Sequence, residues 1–152
     1  PDRGEPYAYL LQLYEAKELR NELLQEAEAY LNIQEHDHDT ARLLLDRFAL
    51  DKRWEDLARV APRVIGITPM APFVHQQYGT ALAVLKRPKE AAFELESALA
   101  AGIRKPGPVR ALLAQQYLML GDKGKAKAAA EQALKEDPGN PDAAMVLKSL
   151  GN

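Results

Sequence analysis

Apolar and small residues recur along this chain at intervals of three, one and three. Ala41, Leu44, Leu45 and Phe48 form one such set, and Tyr7, Leu10, Leu11 and Tyr14 form another. His75, Tyr78, Gly79 and Leu82 have the same spacing, as do Arg110, Leu113, Ala114 and Tyr117. On an α-helix, with about 3.6 residues per turn, this spacing lays four side chains on one stripe. A second helical set follows each first. Leu23, Ala27 and Tyr30 are succeeded by Leu57, Ala61 and Val64, then by Ala91, Leu95 and Ala98, then by Ala126, Ala130 and Ala133. The pattern predicts pairs of amphipathic helices starting at Gly4, His38, Pro72 and, after a one-residue insertion, Gly107, a period of 34 residues. Small residues let the two helices of a pair approach closely, and larger ones fill the space between pairs.

The breaks between these stretches carry turn chemistry. Gly121-Asp122 offers a left-handed helix end followed by a cap. Pro88 suits the first turn of a helix, where its missing N–H would be unpaired anyway. Pro69 and Pro138 stop the second helices of their pairs. Residues Ala101 to Pro108 are the longest interruption and predict a loop that absorbs the insertion. Pro62 falls inside a predicted helix and should kink it near Ala58, with Gly66 releasing the chain early. Residues 141–150 open one further helix with a stripe of Ala144, Leu147 and Leu150, and no second helix follows.

This pattern resembles the tetratricopeptide repeat, over residues 4–150. The likeness rests on Tyr78-Gly79, Leu82, Glu90-Ala91 and Ala98-Leu99 in the third unit. In the fourth it rests on Leu113-Ala114, Tyr117, Gly121-Asp122, Ala126, Ala133-Leu134 and Asp137-Pro138. The second unit keeps Leu44, Phe48, Trp54 and Pro69 but has Leu57 where Ala is usual. The first is degenerate, with Glu35 where the closing Pro would stand, and its helices could run on as one from about Tyr7 to Ile33. The resemblance implies an all-α, right-handed superhelical solenoid of about four repeats, at 4–37, 38–71, 72–106 and 107–140, with a capping helix at 141–150.

Composition agrees with a folded helical chain. It is 47% hydrophobic and 28% charged, rich in Ala and Leu, with one Trp and three Phe. No apolar run reaches the ~18 residues of a membrane span, and no secretory signal opens the chain. The chain starts at Pro1 without an initiator Met, which reads as a piece of a longer protein. Zero cysteines exclude disulfides and thiolate metal sites but do not choose between cytoplasm and periplasm. The net charge of -2 makes no case for nucleic acid. Charge is unevenly spread: residues 4–37 carry eight Asp/Glu against two Lys/Arg, and the three following units are slightly positive.

Candidate chemistry is sparse. Glu35-His36-Asp37-His38-Asp39 alternates metal-binding types, but ligands two apart on a helix point apart and no further His or Cys completes a tetrahedron. The segment reads as caps and solvated loop, so no metal site is assigned. The serines, Ser97 and Ser149, sit in helical patterns and form no catalytic triad. The glycines are turn glycines, not a phosphate loop. Lys123, Lys125 and Lys127 cluster at a helix start, where the dipole disfavours cations. No catalytic residue or cofactor is expected, and the chain is not read as an enzyme.

What the resemblance implies instead is an inner groove lined by the first helices. Carried onto this sequence, its lining includes Arg42, Asp46 and Leu50, then Phe73, Gln76, Thr80 and Val84, then Ala111, Gln115, Leu118 and Met119. Some members of the family grip a peptide's terminal carboxylate with Lys, Asn and Arg. Here only Arg42 resembles that set, with Asp46, Gln77, Thr80 and Leu112 at the other places, so such a clamp is not expected. The groove is apolar with amide and hydroxyl groups and suits a peptide or an adjoining domain. The implied partner is a protein or peptide, with no nucleic acid and no membrane. The alternative is a structural or self-associating (homo-oligomeric) module beside a catalytic domain, as such arrays are often appended to larger bacterial enzymes.

Overall fold

The computed structural model describes residues 20–33 and 38–151, all of its regular structure helical. Eight helices follow one another among these residues. They are α1 (Arg20–Ile33), α2 (His38–Leu50), α3 (Trp54–Ile67), α4 (Pro72–Val84), α5 (Pro88–Ala100), α6 (Pro106–Met119), α7 (Lys123–Glu136) and α8 (Pro141–Ser149). The question of a first repeat against one long helix, and the acidic stretch before Arg20, fall outside the described residues.

The helices stack in chain order as a solenoid. α2 packs on α3, α4 on α5 and α6 on α7, and each second helix packs on the first helix of the next hairpin. The first helices also touch one another, α2 on α4, α4 on α6 and α6 on α8. Because each hairpin reverses the chain and the next connection reverses it again, α2, α4, α6 and α8 run parallel.

The recurrent stripes are what they bury. Ala41, Leu44, Leu45, Phe48, Leu57, Ala61 and Val64 are all at most 2% exposed and form one core with Leu24, Ala27 and Val74. Ala91, Leu95 and Ala98 are fully buried, as are Ala126, Ala130 and Ala133. Each large side chain so removed from water contributes roughly 1.5–3 kcal/mol. A single hairpin leaves half its stripe open, so the stack is held by neighbours. Gly79 shows how tight the fit is. A Cβ there would lie 2.8 Å from Leu95 Cγ and 3.2 Å from its backbone nitrogen, so only glycine lets α4 seat against α5.

The turns inside the hairpins share one geometry. After α2, α4 and α6 the chain takes a single left-handed residue, Lys52 (φ 56), Lys86 (φ 60) and Gly121 (φ 79). The same paired bonds close each helix: Arg53 N–H to Phe48 C=O, Arg87 N–H to Leu82 C=O and Asp122 N–H to Tyr117 C=O. Asp122 then caps α7, its side chain accepting from the Lys125 N–H at 3.0 Å.

Two expectations need correction. α3 is not released early, for it continues through Pro62 and Gly66 to Ile67. The proline is exposed, and the buried stripe of Val60, Ala61 and Val64 on the other side holds the helix across the missing N–H. The interruption after α5 is also shorter than expected, since α6 already starts at Pro106 and takes Gly107 and Pro108 into its first turn. Gly107 is buried there, with room for a Cβ only 3.4 Å from Asp137 Cβ.

Candidate partner-binding face

The first helices bury one side and leave the other open, and the open side is where most of the expected groove residues lie. On α2, Arg42, Asp46 and Leu50 are exposed; on α4, Phe73, Gln76 and Thr80 are half-buried and Val84 is exposed. On α6, Gln115 and Leu118 are half-buried and Met119 is exposed. Ala111 differs: it is 1% exposed and packs in the core with Ala114, Ala126 and Ala143. Its methyl sits where α6 meets α7 and α8, so it offers no surface.

One part of the face is knit across two hairpins. The Arg42 guanidinium lies 4.9 Å from the Phe73 ring centroid, a cation–π contact between α2 and α4. Arg42 Nε also stands 3.8 Å from Asp46 Oδ2, and Gln77 Nε2 donates to Asp46 Oδ1 at 2.5 Å. Arg42 is therefore partly neutralised, and this end presents a charge-balanced edge around an aromatic ring. Thr80 contributes less polarity than its hydroxyl suggests, since Oγ1 donates to the Gln76 carbonyl of its own helix at 2.8 Å.

Along the same face, the last residues of the three first helices form an apolar row. Leu50 is 68% exposed, Val84 46% and Met119 52%, and all three precede the hairpin turns. Met145 on α8 is also exposed, on the helix that packs beside α6. Met145 was not anticipated, because residues 141–150 read as a cap, although its place in α8 matches that of Ala111 in α6.

The opposite side of the α4–α5 hairpin holds a feature the sequence did not announce. Tyr78, Leu82, Lys89, Glu90, Phe93 and Glu94 line an open cleft of about 480 Å³. Behind it His75 is buried, its Nδ1 2.7 Å from Glu94 Oε2 and its Nε2 2.8 Å from the Pro69 carbonyl oxygen. The pair ties α4 to α5 and to the loop before α4. His75 shares its stripe with apolar residues, and Glu94 lies among helix-surface carboxylates, so neither signals the contact by itself. Burial raises the Tyr78 phenol above its ordinary value.

Elsewhere the charges brace the stack. Arg59 on α3 makes a bidentate pair with Glu28 on α1, Nη2 to Oε2 at 3.0 Å, and reaches Asp56 Oδ1 at 3.1 Å. Tyr117 donates to Glu96; burial, with that hydrogen bond second, raises its phenol. Arg110 Nε donates to Glu136 Oε1 at 3.0 Å between α6 and α7. Among the described residues, no group of three or more His, Cys, Asp or Glu is arranged to hold a metal. Glu35, His36 and Asp37 lie outside them. No described helix is long and apolar enough to cross a membrane.

Comparison with known proteins fits this architecture. Residues 107–150 match a family model described as Tetratricopeptide repeat. A crystal structure of MamA protein superimposes with a TM-score of 0.80 at 15% identity, over 97% of this chain and 84% of that one. MamA 41-end from Desulfovibrio magneticus RS-1 gives 0.78 at 19% identity, over 94% and 80%. The first repeat domain of Spaghetti (RPAP3), bound to the HSP90 peptide SRMEEVD, gives 0.66 at 15%, over 76% and 94%. No curated protein matches the chain. The protein thus has the tetratricopeptide-repeat fold, and its last hairpin and α8 carry that family's sequence pattern.

Proposed function

We propose that this chain is a non-catalytic interaction module that holds a peptide, or a neighbouring domain, against the face of α2, α4 and α6. On this reading it is a single array, with repeats at 38–71, 72–106 and 107–140 after a degenerate unit at 4–37, and 141–150 as the cap. The carrying observation is the open apolar row of Leu50, Val84 and Met119 at matching places on three parallel helices, with Leu118 next to Met119 and Phe73 at the other end of the same helices. Exposed apolar side chains repeated on one face mark a place where something docks. Preformed helices present it without rearrangement, which limits the entropy lost on binding. The Spaghetti (RPAP3) domain of similar fold holds its HSP90 peptide, and the second such domain of human RPAP3 holds the HSP70 peptide SGPTIEEVD. The polar set here differs from a carboxylate clamp, because Arg42 is shared between Phe73 and Asp46.

Phe73→Glu and Leu118→Glu place a charge on this face at half-buried side chains that also pack against the core. Partners recovered by the wild-type chain in a pull-down should be lost by either variant, at unchanged far-UV circular dichroism. Full retention of every partner by both variants would sink the proposal.

A further inference from the structure

The hairpin turns bring three cationic positions to one edge of the stack. Because α2, α4 and α6 run parallel and side by side, the turns at their C-terminal ends lie on the same edge. The sequence repeats Lys52-Arg53 as Lys86-Arg87, 34 residues on, and the third turn reads Gly121-Asp122-Lys123. The third turn shows what local stability favours: a glycine in the left-handed position and an aspartate capping the next helix. The first two turns forgo both. Lys52 and Lys86 hold the left-handed conformation that burdens any side chain, and Arg53 and Arg87 make no side-chain cap. The arginines are neutralised nearby, Arg53 by Asp56 and Arg87 by Glu90. Lys52, Lys86 and Lys123 are exposed and have no ionic partner among the described residues. Lys123 moreover sits at the positive start of α7. Placing cations here works against local preference, and a departure of that kind points to use.

Directly inside this cationic rim lies the apolar row of Leu50, Val84 and Met119, one residue per hairpin. We propose that the rim and the row together bind an extended acidic segment of a partner protein. Its apolar side chains rest on the row, and its internal carboxylates face Lys52, Lys86 and Lys123. Packed helices sit about 8–10 Å apart. An extended chain covers that distance in roughly three residues, so the fitting segment carries an acid at about every third position. Nucleic acid is the poorer occupant, because the chain is net negative, -2, and the carboxylates of Asp51 and Asp122 stand in the same turns. The inference rests on the reading of the first-helix face as a binding surface and adds the charge and spacing of what it binds.

The test uses two blocked peptides of about 12 residues, one with Glu at every third position between Leu and Val, the other with Lys in place of Glu. Acetylated and amidated ends remove any terminal carboxylate. Fluorescence anisotropy at about 20 mM salt should show the acidic peptide binding at least about tenfold tighter, a gap that narrows at about 500 mM. Lys52→Gly/Lys86→Gly should narrow the gap to that left by Lys123 while melting no lower than the wild type, because glycine relieves the left-handed positions. Equal binding of both peptides, abolished by Leu50→Asn/Met119→Asn, would overturn the rim assignment and leave the binding face standing. An unaltered gap in the glycine variant, or no binding of either peptide, would also overturn it. So would capture of anionic vesicles or RNA, or self-association seen by sedimentation, through these lysines while the acidic peptide stays free.

Discussion

Gly79 and Leu95 set the closest approach in the α4–α5 hairpin. A methyl at position 79 meets both the side chain and the backbone of Leu95, so relief requires α5 to move. Gly79→Ala should therefore destabilise the chain by about 1–3 kcal/mol, despite alanine's better helix propensity. Urea unfolding checks the sign: a variant as stable as the wild type would mean the hairpin is looser than its geometry. The His75–Glu94 pair calls for a different argument. Glu94 is 9% exposed and His75 7%, and the imidazole is held from both ring nitrogens. Glu94→Leu removes one partner and leaves a buried polar nitrogen, which should lower stability by about 1–3 kcal/mol. The same melts on Glu94→Gln, which can still hydrogen-bond, should recover part of the loss. The close approach at Gly79 was legible as a small residue on the packing stripe, whereas the His75–Glu94 pair was not, because a histidine on an apolar stripe looks alike whether or not it touches something specific. Ala111 was placed on the surface and lies in the core, and the Thr80 hydroxyl is turned to its own helix, for related reasons. A hydroxyl can bond to its own helix, and a methyl can belong to a groove or to a core at the same helical position.

Single helices were more readable than the contacts between them. α2 to α7 follow the expected stripes, while α8 buries Ala143 and Val146 and leaves Ala144 of its expected stripe exposed; the caps at Gly121 and Asp122 act as their residue types dictate. The early release at Gly66 was over-read, because burial of Val60, Ala61 and Val64 keeps the helix going through Pro62 to Ile67. α3 also carries a prediction about acid. At Asp56, burial acts to raise the carboxyl, but hydrogen bonds from Arg53 and Arg59, and their charges, outweigh it, so the group titrates below its usual range. A carboxyl depressed in the folded state adds stability above its unfolded value, and that stability is lost as pH falls through the folded value. Asp56→Asn should accordingly flatten the acid limb of a stability–pH curve measured by chemical denaturation, with little change in its shape near neutrality. An acid limb as steep as the wild type's would place the dependence on other carboxylates.

Across the whole molecule, a repeat turns one local preference into a surface. One exposed leucine at a helix end means little, whereas Leu50, Val84 and Met119 fall in line because the helices that carry them run parallel. The 34-residue period made that alignment readable before any coordinates, together with the solenoid it implies. The Lys52 and Lys86 conformations were not readable, since left-handed geometry appears only when the turns close. The exposed cleft beside Phe93 was hidden too, because it forms between helices and not along one. The direct test of the binding face is a backbone amide titration of isotope-labelled protein with a partner segment recovered by pull-down. Shifts should concentrate on the open sides of α2, α4 and α6, around Leu50, Phe73, Val84 and Met119. Shifts confined to α3, α5 and α7, or to the cleft at Phe93, would contradict it.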